Sequence, residues 1–196
     1  MYHIKEDKRA KRSAEELYQG LSRLLKKGYN MENISISQLT NEAQVGRSTF
    51  YRNFDELIDI LTWKSDDSFS DVLKRYIDLP HNPEKMEYLG FVRFIFNYWY
   101  NNSEVFEILI SINRVDIIYK SFNRASPMVV EYMQEKGYYN DEISPVERSY
   151  FLSMRISILI GTLSAWISGG KKEDPDEIVA ILGKEILDYK KMKVLF

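Results

Sequence analysis

The chain contains no cysteine. That excludes disulfides, a thiol nucleophile and a thiolate metal site, and it fits a reducing compartment, so a cytoplasmic protein is expected. Histidine is nearly as scarce. His3 and His81 are the only two, and neither stands beside a nucleophile or a second metal ligand. No phosphate-cradling Gly loop, Gly-x-Ser-x-Gly elbow or His-x-x-x-His pair occurs. An enzyme would need carboxylates gathered only by folding, and Asp66 with Asp67, or Asp141 with Glu142, read as solvated surface. No cofactor and no metal are expected. Long apolar runs are also missing: the best, residues 156–167, is too short to span a bilayer. Residues 1–12 are charged with no apolar core behind them, unlike a secretory leader. No membrane partner is expected.

What is present is ordinary for a globular chain of 196 residues, with 44% hydrophobic content and a net charge of −2. The charge is unevenly spread. Residues 1–53 carry ten Lys/Arg against six Asp/Glu, and residues 54–196 carry seventeen against twenty-three. A basic front on an acidic remainder suits a protein that docks one end on phosphates.

The strongest local signal is residues 35–54. Ser35 and Gln38 have the spacing of a capping box. Ile36, Leu39 and Ala43 then fall on one apolar face of a short helix. Gln44, Val45 and Gly46 make a turn, with Gly46 as the cap of a second helix over 47–53. Phe50 and Phe54 share the inner face of that helix. Arg47, Ser48, Thr49, Tyr51, Arg52 and Asn53 are expected on the outer face. Arg pairs twice with guanine and Asn with adenine, while hydroxyls suit phosphate oxygens. A helix-turn-helix lays such a second helix in the major groove. The alternative is a polar surface on an ordinary helical hairpin. Candidate DNA-binding residues are Ser35, Ser37, Gly46, Arg47, Ser48, Thr49, Tyr51, Arg52 and Asn53.

This run resembles the DNA-binding motif of the tetracycline-repressor (TetR) family, whose pattern is I-x-x-(I/L)-x-x-x-A-G-V-S-R-G-T-(F/L)-Y-x-x-F. Val45, Arg47, Thr49, Phe50, Tyr51 and Phe54 match it position by position. Gln44 replaces the usual Gly and Gly46 the usual capping Ser. Leu57 stands where the family often places a phosphate-binding Lys, so that contact is not carried over. The resemblance implies an all-α chain: a three-helix DNA-binding head at 1–54, a connecting helix at 55–79 and a helical ligand-binding and dimerisation body at 80–196. It implies double-stranded DNA, a second copy of the chain and a small-molecule effector as partners. The function expected is that of a homodimeric repressor on a pseudo-palindromic operator, released by an effector. Alternatives are an activator or constitutive binder whose body meets a protein partner and, more remotely, a small helical enzyme.

Elsewhere the pattern predicts helices throughout. Residues 1–12 read as a mobile basic arm or a helix start, and 13–27 as an amphipathic helix stopped by Gly28. Acids at 55 and 56 open the connector, and Pro80 to Pro83 turn the chain. Residues 84–101 are apolar nearly all round, which predicts a buried helix. Ser103 is expected to cap residues 104–112. One or two helices should follow over 114–136, with Pro127 starting or kinking one. Phe91, Phe94, Tyr98, Trp99, Phe106, Tyr119 and Phe122 line either an effector cavity or simply a core. The last two helices, 147–168 and 175 onward, resemble the family's dimerising pair. Ser157, Gly161, Ala165, Trp166, Ile178, Leu182 and Ile186 are the expected interface, with packing inside one chain as the alternative.

Overall fold

A computed structural model describes residues 1–4, 7–80, 88–136 and 143–187, side chains at 133 and 185–187 aside. Among these residues there are ten α-helices, one 3-10 turn and no strand, so the chain is all-α as expected.

Helix α1 (Lys8–Lys26) begins before residue 13 because Asp7 caps it, its carboxylate accepting from the Ala10 N–H at 2.7 Å. Basic residues 8–12 therefore belong to a helix rather than an arm. Upstream, Tyr2 forms an isolated antiparallel bridge with Phe54, and the His3 N–H donates to the Asn53 carbonyl at 2.8 Å. Gly28 ends α1 at φ +88°. After a 3-10 turn at Met31–Asn33 come α2 (Ile36–Glu42), with the Ser35–Gln38 capping box in place, and α3 (Arg47–Asn53), with Gly46 as N-cap. Between them Gln44 sits at φ +56°, a conformation in which a Cβ is costly. Gly20 lets α1 and α2 touch: a Cβ there would lie 2.8 Å from that of Ala43.

Helix α4 (Leu57–Ile77) is the spine, packing on α1 and on α5 (Tyr88–Asn102), α6 (Glu104–Ser111), α7 (Val115–Ala125) and α8 (Pro127–Glu135). Its Phe69 is fully buried among Trp99, Phe106 and Phe122, with ring centroids 5.1–5.3 Å away. Ser126 keeps helical angles (φ −59°, ψ −31°), so Pro127 starts α8 as a kinked continuation of α7. Ser103 precedes α6, but its hydroxyl donates to Glu107 instead of capping. Most of the turn expected at residues 80–83 and of the loop expected at 137–145 lies outside the described residues.

Helix α5 corrects one expectation. Val92, Ile95, Phe96 and Trp99 are buried, but Gly90, Arg93, Asn97 and Tyr100 are exposed. Helix α9 (Pro145–Ser168) has the Ser144–Glu147 capping box and Pro145 at its first turn, and α10 (Pro175–Leu187) follows. By length and composition α9 is also apolar enough to cross a membrane, although no uninterrupted apolar run does so, and little of it is buried within the chain.

The expected dimer residues divide. Ser157, Gly161 and Ala165 are exposed on α9 with Val146, Tyr150, Met154 and Ile158. Trp166 is not: it is buried on Phe96 at 5.2 Å, its indole N–H donating to the Glu173 carbonyl at 2.8 Å. Ile178 and Leu182 are buried too, because α10 packs on α5 within the same chain. These three are core residues, and Ile181 is the exposed apolar residue of α10. The side chain of Ile186 lies outside the described residues.

Candidate nucleic-acid interface

Helix α3 is held by its two phenylalanines. Phe50 and Phe54 are fully buried, 6.1 Å apart between centroids, and Phe54 meets Trp63 of α4 at 6.3 Å. Burial of two such rings fixes the roll of a helix too short to be stable alone. That roll turns Arg47, Ser48, Tyr51 and Arg52 to solvent and leaves Thr49 half-buried. Tyr51 is 59% exposed, its ring edge-on to Phe50 at 5.4 Å. The Arg47 guanidinium donates to the Ser37 hydroxyl at 2.7 Å, so both residues share one surface across α2 and α3. The hydroxyl is neutral, and among the described residues no carboxylate pairs with Arg47. Ser35 and Gly46 are exposed at the starts of the two helices.

Asn53 departs from expectation. It is buried, and its amide donates back to the Thr49 carbonyl at 2.9 Å. Its amide is thus engaged within α3 rather than presented on the outer face with Arg47 and Tyr51. Beside it lie residues that helical spacing did not select. The bridge from Tyr2 to Phe54 brings His3 alongside α3, and His3, Asp7, Arg9, Arg52 and Asn53 line one depression. A charged run within residues 1–12 was the only trace of this in the sequence.

The helices carrying this surface are tied to the rest of the chain at Glu104, the first residue of α6. Its carboxylate accepts from the Tyr18 hydroxyl at 3.0 Å, the Ser22 hydroxyl at 2.9 Å and the Lys26 ammonium, all on α1. Burial opposes ionisation of Glu104, but these three donors outweigh it and hold the carboxyl below its ordinary range. A second tie joins Asp66 of α4 to Tyr2 (2.7 Å) and to Arg124 of α7 (2.6 Å).

A cavity of about 150 Å³ lies among α4, α5, α7, α8 and α9, lined by residues that include Tyr76, Tyr88, Ser126, Val129, Leu152 and Arg155. Of the seven aromatics proposed as ligand contacts, Phe91 and Phe122 line it. The other five do not. Trp99 and Phe106 pack on Phe69, Phe94 packs on Tyr76, and the Tyr98 hydroxyl donates to Asp71 at 2.7 Å. Tyr119 is half-buried away from the lining. Arg155 and the α8 residues went unnoticed in the sequence, because nothing local marks a wall that five helices share.

No curated protein matches the chain. Residues 87–188 match a family model described as the C-terminal region of a transcriptional regulator, of TetR type. The match covers just over half of the chain, and it does not overlap residues 35–54, which carry the helix-turn-helix pattern. Two separate stretches thus point the same way, and the chain belongs to the TetR family of transcriptional regulators.

Proposed function

We propose that the chain is one subunit of a homodimeric repressor, with residues 1–54 as the DNA-binding head, 55–79 as the connecting helix and 80–196 as the effector-binding and dimerisation body. The carrying observation is the polar face of α3, Arg47, Ser48, Tyr51 and Arg52, exposed over a fully buried Phe50 and Phe54. Paired copies of such a short helix supply affinity and match an operator of twofold symmetry. The apolar residues bared along α9 supply the pairing surface, with Ser157, Gly161 and Ala165 allowing close approach. An effector in the cavity releases the operator by favouring one separation of the two heads; affinity without that preference changes nothing. The cavity favours this over an activator whose body takes a protein partner, for which a filled core is expected.

The test is operator binding, on DNA selected from a random pool. Arg47→Ala and Tyr51→Ala should each weaken binding about tenfold or more, with helicity and oligomeric state unchanged. Wild-type affinity should fall steeply as salt rises from 50 to 200 mM. Full affinity in both variants would remove α3 as the reading helix.

A further inference from the structure

The geometry points to a compact aromatic carboxylate, a benzene-sized ring bearing an anionic group, as the class of molecule that the cavity takes. This rests on the effector reading above and gives it a chemistry. Three observations converge.

The first is size and lining. The cavity holds about 150 Å³ between Phe91, Phe122, Val129, Ile156 and Leu159. Apolar cavities of about that volume admit a benzene ring.

The second is charge. Among the described lining residues Arg155 is the one ionisable cation, and none is a carboxylate.

The third is the state of that arginine. Its guanidinium lies over the Tyr88 ring at 5.5 Å, and the Tyr88 hydroxyl donates to the Arg155 carbonyl at 3.0 Å. That contact engages none of the guanidinium N–H groups in a hydrogen bond among the described residues, and these are the groups that pair bidentately with a carboxylate. Arg75, Arg93, Arg114 and Arg124 each already face an aspartate, respectively Asp71, Asp176, Asp116 and Asp66. Arg155 faces none among the described residues. Arg155 is solvent-exposed while lining the cavity, and an unpaired cation beside an apolar wall selects an anion with an apolar body and disfavours an amine of the same shape.

The experiment is calorimetric titration of the full chain with benzoate, benzyl alcohol and benzylamine, which share a ring and differ in charge. Benzoate should bind at least about fivefold more tightly than benzyl alcohol, with benzylamine weakest. Arg155→Gln should erase that order while benzyl alcohol affinity stays within about twofold, and Arg155→Lys should keep the order in weakened form. Val129→Trp, which fills the cavity, should abolish binding of all three. Circular dichroism and operator binding verify that each variant is folded.

Equal binding of benzoate and benzyl alcohol, or an order that survives Arg155→Gln, overturns the carboxylate assignment. If the alcohol nevertheless releases operator, the effector reading stands without it. If none of the three binds a chain that still holds its operator, both the carboxylate and the effector cavity fall, and DNA binding remains.

Discussion

Gly20 marks the closest approach of α1 and α2, and its missing side chain decides that contact. An added Cβ would lie 2.8 Å from the Ala43 Cβ and 3.1 Å from its backbone N and Cα. Two effects compete in Gly20→Ala. Helix propensity favours alanine by about 1 kcal/mol, while overpacking a fixed backbone costs about 1–3 kcal/mol. The clash should win, because a backbone cannot swing aside as a side-chain tip does. Thermal unfolding should show a net loss of about 1 kcal/mol for Gly20→Ala. Adding Ala43→Gly should return part of it, and a raised Tm in the single variant would contradict the packing. Residue-scale features of this local kind were legible in advance. The Ser35–Gln38 box and the Gly28 stop each depend on neighbours within a few positions. Asn53 was not, because its burial depends on residues 1–4 crossing the end of α3, fifty positions away in the chain.

Helices α1 and α6 meet through one carboxylate, and that junction is sensitive to acid. The folded chain holds Glu104 below its ordinary pKa. The link is therefore at full strength above the unfolded value and weakens as pH falls through the lower folded one. Wild type should exceed Glu104→Gln in Tm near neutral pH, and the two melting curves should converge between about pH 5 and pH 3. A constant gap across that range would show that the ionised carboxylate is not what joins these helices. Element existence was readable from periodicity, as for α1 and α9. Element burial was less so: α5 is apolar on most sides, yet it leaves Tyr100 exposed, because α4 and α10 pack only on part of it. The same limit governed the cavity. Its aromatic wall suggested itself at Phe91 and Phe122, but Arg155 enters only once α9 is laid beside α5.

At the scale of the molecule, α9 leaves an apolar face bare. Val146, Tyr150, Met154 and Ile158 are exposed there, beside Gly161, whose added Cβ would meet nothing within 4 Å in its own chain. Gly161→Phe should therefore leave the single chain folded yet obstruct a close helix crossing with a second copy. Light scattering should show its dimer dissociating at least about tenfold more readily, with operator affinity reduced in step. A dimer unchanged in mass and affinity would move the interface elsewhere. Of the residues expected at a dimer interface, Ser157, Gly161 and Ala165 are exposed on α9, whereas Trp166, Ile178 and Leu182 are buried, since their apolar character was equally compatible with an inner or an outer position. A pairing surface of this kind has a quantitative outcome for regulation. If the proposed dimer forms and most copies are single, the amount of paired regulator grows with the square of the copy number, so modest changes in synthesis would set a threshold for its action on DNA.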